Sequence, residues 1–271
     1  MKGLIGKALG GRWARNALAL HFPELERFAP LPFQDPPPSR RPLVLAPHAD
    51  DESIGCGGTL RRYADQGASV QVAVITDGSL GNREIRALRD GPEREQAMAD
   101  LVALRRREAL AATQVLGVQG LHFLDAIDGQ LNPDDAALAQ RLDDLLHQLR
   151  PDLVLLPFVA DRHRDHWNTN RLFINVCQRP GLRWLRAVPL CAYEVWAPLH
   201  ANLLVDIGAQ LEAKRQALAA YGSQLASLDY PAAVLGLNRY RAACGLRNGH
   251  AEAFHLASFD AYQRLYRKLS L

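Results

Sequence analysis

Leu43-Val44-Leu45-Ala46-Pro47-His48-Ala49-Asp50-Asp51-Glu52 runs from a short apolar stretch straight into four ionisable residues within five positions. The apolar half reads as a buried strand, and the ionisable half sits where an ordinary turn would follow. Working outward, the same alternation recurs. Residues 57–67 read as helix, 70–76 as a β-branched strand and 93–116 as a long helix closed by Gly117. Residues 121–124 read as strand, 134–150 as a helix halted by Pro151, and 152–157 as another buried strand. Apolar strands alternating with helices predict parallel βαβ units with helices on both faces of the sheet. Past residue 165 the pattern gives a helix about 167–177, strands near 187–196 and 202–207, and a helix about 210–221. A loop-rich tail then leads to a final helix at 259–269.

Charged groups as crowded as His48, Asp50, Asp51 and Glu52 raise one another's protonation energy unless something positive holds them. A divalent metal is the simplest partner. The i, i+3 spacing of His48 and Asp51 lets a tight turn bring both to one ion, with Asp50 left beside it. The competing reading is a helix N-terminus, where Asp and Glu are favoured for their charge alone. A second cluster, Asp161-Arg162-His163-Arg164-Asp165-His166, follows the strand Asp152-Leu153-Val154-Leu155-Leu156-Pro157. In open doubly wound sheets, ligands bind outside the carboxyl ends of the strands at the switch point. Convergence there of His48, Asp51 and one later histidine gives three ligands with open positions, the arrangement of a catalytic metal.

Together the two clusters resemble the PIG-L/LmbE-like family of metal-dependent N-deacetylases. The family's PHxDDE-type and HxDH-type motifs correspond to Pro47–Glu52 and His163–His166. Further similarity lies in Gly55-Cys56-Gly57-Gly58-Thr59-Leu60, Val74-Ile75-Thr76-Asp77-Gly78, Arg106-Arg107-Glu108 and Leu124-Asp125-Ala126-Ile127-Asp128-Gly129. Late landmarks are Tyr221-Gly222-Ser223-Gln224 and Ala251-Glu252-Ala253-Phe254, so the resemblance covers about residues 42–257. Ala49 and Arg164 stand where the family usually has proline, both at non-ligand positions. The resemblance implies an α/β, Rossmann-like three-layer sandwich with a mostly parallel sheet and its active site at the strands' carboxyl ends. It implies that His48, Asp51 and His166 bind the metal, zinc or alternatively iron(II), since two imidazoles and one carboxylate suit both. Asp50 then matches the general base, His163 in protonated form polarises the acyl oxygen, and Asp165 orients His163. Arg107 and Asp128 match the residues that approach the sugar. The implied reaction is hydrolysis of an N-acyl group, in the first place N-acetyl, from an N-acetylglucosamine conjugate, free or linked to a lipid or glycan.

Other readings compete. A histidine-aspartate pair with a distant histidine also satisfies the facial triad of a non-haem iron oxygenase, although the alternating βα pattern and the adjacent Asp51 argue against it. A non-catalytic carbohydrate- or lipid-binding module on the same fold would not need Asp50 and both histidines. Glu52 is expected to hold the turn or cap the next helix. Gly55, Gly57 and Gly58 look superficially like a dinucleotide loop, but Leu60 occupies the third glycine position and an acidic turn is hostile to pyrophosphate. Close helix–strand packing explains them better. Trp196 is a candidate sugar-stacking wall.

The composition frames these readings. The 271 residues are 48% hydrophobic and 23% charged, which excludes disordered, collagen-like and coiled-coil classes. The formal net charge of +3 gives no global field calling for nucleic acid. Residues 1–41 hold seven basic and three acidic residues, a net +4, so the remainder is about −1. The Pro-rich stretch 30–42 reads as an extended linker between this basic arm and a single catalytic domain over 42–271. Within residues 1–20, Leu4, Ile5, Leu9, Trp13 and Leu20 form a rough apolar stripe flanked by Lys7, Arg12 and Arg15. It reads either as a helix packed on the body or a second subunit, or as a peripheral contact with an anionic membrane. Four scattered cysteines without a CxxC pair, no apolar run of 18 residues and no signal-peptide pattern predict a cytoplasmic enzyme with free thiols.

Overall fold

A computed structural model describes residues 31–225 and 229–270. Strand β1 (Pro42–Ala46) is buried at every position. Leu43 and Leu45 join one hydrophobic cluster, and Val44 and Ala46 join another. A strand apolar on both faces needs a covering layer on each side, and the molecule supplies both. The seven-stranded sheet has the order β3 (Gly120–Ala126), β2 (Gln71–Thr76), β1, β4 (Leu153–Pro157), β5 (Leu190–Tyr193), β7 (Ala251–Ala257), β6 (Leu203–Asp206). The first five strands run parallel, and β7 is antiparallel to both its neighbours.

Nine α-helices are described: α1 (Asp51–Asp65), α2 (Arg83–Ala87), α3 (Pro92–Leu116), α4 (Ala136–Leu149), α5 (Arg164–Val176), α6 (Leu211–Ala219), α7 (Gly222–Leu225), α8 (Tyr230–Cys244) and α9 (Phe259–Leu269). Leu142, Phe173 and Tyr262 bring α4, α5 and α9 to one face with Leu45 and Ile75. Leu60, Ala112 and Ala217 bring α1, α3 and α6 to the other with Val44 and Val74. This is the Rossmann-like three-layer sandwich expected. The chain leaves β1 toward β2 on one side and returns to β4 on the other, so the two acid/histidine segments follow adjacent strands at the switch point.

Two expectations need correction. Helix α1 starts at Asp51 rather than at residue 57, because a kink at Cys56 (φ −145°, ψ 15°) joins two helical pieces. The buried Glu252 carboxylate of β7 caps the second piece, accepting from the Gly58 and Thr59 amides at 2.8 Å each. Lys214 Nζ of α6, also fully buried, donates to Glu252 Oε1 at 2.6 Å and to the Ile54 carbonyl at 2.8 Å. One ion pair thus satisfies the backbone groups that the kink releases. The glycines are packing devices, as expected: a Cβ at Gly55 would lie 2.1 Å from the Tyr193 ring, and one at Gly58 2.7 Å from Ile207. The second correction concerns the tail, which is not mainly loop but holds α8 and β7.

Residues 31–41 are extended, as the prolines demand, and fastened to the body. Phe33 bridges Leu204 on the edge strand β6, with Gln34 N donating to Leu204 O at 3.0 Å. Tyr63 Oη donates to Pro37 O at 2.6 Å, and Asp152 accepts from the Arg40 and Arg41 amides at 3.1 and 2.9 Å. Residues 1–30, with the stripe read as a membrane or packing helix, lie outside the described residues. No helix among the described residues is long and apolar enough to cross a membrane. The four cysteines are free.

Removing one partner of a buried ion pair strands the other charge, at roughly 3–5 kcal/mol. Glu252→Leu is therefore expected to lower unfolding free energy in urea by that amount. Adding Lys214→Met should recover part of the loss, and a single-variant loss under about 1 kcal/mol would contradict the clamp.

Candidate active site

The turn between β1 and α1 is built around an unusual backbone. Asp50, the N-cap of α1, has φ +149° and ψ −26°, outside the regions open to side chains other than glycine. Such a conformation costs about 1–3 kcal/mol and persists only where neighbours over-determine it. Here they do. The Asp50 carbonyl accepts from Ser53 N and Ile54 N at 3.0 and 2.9 Å, and Asp50 N donates to Glu52 Oε2 at 3.1 Å. Glu52 holds the turn rather than a metal: its Oε1 accepts from Tyr221 Oη and Ser53 Oγ at 2.6 Å each. Arg105 donates to the Ala49 carbonyl at 2.7 Å, pinning the position where a proline is absent.

Three ligand atoms close a triangle. Asp51 Oδ2 lies 3.2 Å from His48 Nδ1 and 3.2 Å from His166 Nε2, and the two imidazole nitrogens are 3.3 Å apart. Atoms bound about 2.0–2.2 Å from one tetrahedral zinc would be roughly 3.3 Å apart, so the donor set and its spacing fit a divalent metal. A wider group adds His163 to His48 and His166, with ligand atoms within 4.8 Å of one another. A third acid/histidine group, His48 with Asp128 and Asp165, uses the opposite ring nitrogen: His48 Nε2 is 3.3 Å from Asp128 Oδ1 and 3.3 Å from Asp165 Oδ2. Carboxylates there accept from Nε2–H, the arrangement that leaves an Nδ1 lone pair toward Asp51 and His166. Asp161 Oδ1 stands 3.4 Å behind His166 Nδ1, close enough to pair with a charged ring but without a well-formed hydrogen bond.

The electrostatics carry the mark of this crowding. Burial opposes charge on Asp51, but the imidazoles of His166 and His48 outweigh it and hold its pKa well below the usual carboxylate range. Burial would lower His166, yet Asp51 and Asp161 lift it to about 9. Asp50 is pushed up to about 7, chiefly by burial, with Arg105 Nη2 at 3.3 Å pulling the other way. Burial and the neighbouring His48 and His166 lower His163. His163, the N-cap of α5, accepts from the Asp165 amide through Nδ1 at 3.2 Å, which leaves Nε2 as the ring's free donor.

These groups face a cleft of about 430 Å³, lined on one side by Leu80, Arg83, Arg86 and Arg105 and on the other by Trp196, Gln224 and Tyr230. A larger, shallower depression of about 810 Å³ around Phe33, Arg62 and Asp206 holds none of the acid/histidine groups. His48, Asp50, Asp51, Asp128 and His163 all line the 430 Å³ cleft, and His166 lies beneath it. Two further assignments shift. Arg107 is exposed on α3 and does not line the cleft, whereas Arg105, unflagged from sequence, is buried there. Gly78 makes room for it: at φ +71° a Cβ would lie 2.8 Å from Arg105 Cδ. Asp165 turns its carboxylate to His48 Nε2 and the Gly129 amide (2.7 Å), and only its backbone meets His163. Trp196, 46% exposed, packs edge-on against Tyr230 at the cleft wall.

The strained turn is testable without an assay. Asp50→Gly is expected to be more stable than Asp50→Ala by about 1 kcal/mol in urea unfolding, because glycine accepts the positive φ freely. Equal or reversed stabilities would mean the turn is unstrained.

Comparison with known proteins agrees with this geometry. The PIG-L family model, described as GlcNAc-PI de-N-acetylase, matches residues 43–177. A diacetylchitobiose deacetylase of Thermococcus kodakarensis is 29% identical over 208 residues, covering 71% of this chain and 72% of that protein. A 4-oxalmesaconate hydratase of Pseudomonas putida is 28% identical over 173 residues, covering 59% and 63%. The N,N'-diacetylchitobiose deacetylase from Pyrococcus horikoshii, solved with an inhibitor, superposes with a TM-score of 0.68 at 23% identity, over 92% of this chain and 93% of that one. With the paired motifs at the carboxyl ends of β1 and β4, the chain belongs to the PIG-L family of N-deacetylases.

Proposed function

We propose that this chain is a metal-dependent hydrolase that removes the N-acetyl group from an amino-sugar conjugate. The observation that carries the reading is the triangle of His48 Nδ1, Asp51 Oδ2 and His166 Nε2 with Asp50 beside it, at the floor of one cleft. Zinc or iron(II) held by those three residues supplies Lewis acidity and makes water a nucleophile near neutral pH.

The chain's own residues supply the remaining chemistry. Asp50, with its pKa raised to about 7, takes a proton from the attacking water and returns it to the leaving amine. Arg105 fixes that carboxylate and stops it from turning toward the ligand triangle. His163 donates its Nε2 proton in a hydrogen bond to the oxyanion as the carbonyl carbon becomes tetrahedral. Asp128 and Asp165 hold the His48 imidazole in its ligating tautomer, and Asp161 stands behind His166. The sugar ring is assigned to the Trp196 face and to Gln224 rather than to Arg107.

Acetate release from a panel of N-acetylglucosamine conjugates, run with zinc and with iron(II) reconstitution, tests the reading. Asp50→Asn is expected to keep one metal per chain and to lose roughly 100- to 10,000-fold in kcat. His163→Ala should lose roughly 100- to 1000-fold. Arg105→Met should impair turnover, and Arg107→Ala should not. Absence of acetate from every conjugate, with water added instead to an unsaturated dicarboxylate, would replace this reading with that of a hydratase.

A further inference from the structure

A second, smaller cavity opens beside the cleft. It has a volume of about 220 Å³ and is walled by Ile54, Val195, Val234, Leu237 and the two aromatic residues Trp196 and Tyr230. Those two aromatics also line the catalytic cleft, so the cavities share one wall. The chemistry changes across it: arginines and carboxylates on one side, aliphatic side chains on the other. A dry cavity of about 150 Å³ suffices to take a benzene ring, so 220 Å³ holds an aryl group or a short alkyl chain. It lies below the about 300 Å³ usual for a ligand site of its own, which marks it as an annex of the neighbouring cleft.

Two polar residues, Asn238 and Glu194, break the apolar lining. Asn238 of α8, 4% exposed, lines the cavity, and its Oδ1 is buried without a hydrogen-bond partner. The other polar residue there, Glu194, is fully engaged by Arg241 Nε at 2.9 Å and by the Leu199 amide at 3.0 Å.

We propose that this cavity is a specificity subsite for an apolar substituent of the substrate, an aryl or short alkyl group next to the reacting amide. The inference rests on the deacetylase reading and narrows it to conjugates bearing such a group. The group arrives either on the aglycone or on the acyl chain.

The test compares kcat/KM for the phenyl and methyl β-glycosides of N-acetylglucosamine, and for N-phenylacetyl and N-acetyl groups on the methyl glycoside. At least about a tenfold gain in one pair is expected for the wild type. The pair that gains identifies the source of the group. Ala233→Phe, which fills the cavity from an exposed position on its rim, should bring that ratio to within about twofold of one. In parallel, benzamide is titrated against Trp196 fluorescence, isolated by comparison with Trp196→Phe. Turnover without a gain in either pair would overturn the subsite and leave the deacetylase reading standing. If no conjugate turns over, that reading fails. The benzamide titration then still decides the cavity: saturable binding lost in Ala233→Phe supports it, and no binding overturns it.

Discussion

Three ligand atoms held 3.2–3.3 Å apart in a buried pocket, two imidazole nitrogens and a carboxylate oxygen, are the constraint on which the rest of the structure depends. Burial pushes Asp50 up, while the pairing of the Asp51 carboxylate with the imidazoles holds Asp51 down and lifts His166. The fold meets the constraint by placing both segments at the ends of β1 and β4, adjacent strands at the switch point of the sheet. It then surrounds them with carboxylates that stand behind each imidazole and with a turn that holds Asp50 at a positive φ.

That turn is secured from several directions. Glu52 and Tyr221 hold it from α6's end, and Arg105 reaches it from α3. The Lys214–Glu252 pair stabilises the kinked helix immediately after it. These contacts join residues as far apart as Glu52 and Tyr221 in one polar scaffold, so the antiparallel edge of the sheet contributes to the geometry of a site it does not touch. A strained residue supported in this way, the one proposed as the base, is pre-organised, with its stabilising interactions outside the groups proposed to react.

Much of this was legible in the sequence. Continuous apolar strands spelled out the parallel half of the sheet, and the PHxDDE-type and HxDH-type segments marked its active end. On the antiparallel edge β6 falls within the strand expected near 202–207, but β7 was not legible, because Glu252 and His255 interrupt its apolar pattern and the preceding α8 contains Pro231 and Gly236. The start of α1 was masked by glycines whose role is contact with Tyr193 and Ile207. Arg105 was missed for a different reason. Leu101, Arg105, Glu108, Ala112 and Leu116 form the buried stripe of α3 at helical spacing, and Arg107 falls off it. Reading the charges by that period would have selected the arginine that lines the cleft.

The most direct test is the position of zinc in the anomalous diffraction of zinc-loaded crystals. A single peak about 2.0–2.2 Å from His48 Nδ1, Asp51 Oδ2 and His166 Nε2, with Asp50 outside the coordination sphere, is expected. A peak on the other side of His48, bound through Nε2 with Asp128 and Asp165, would contradict the assignment of ligands and base together.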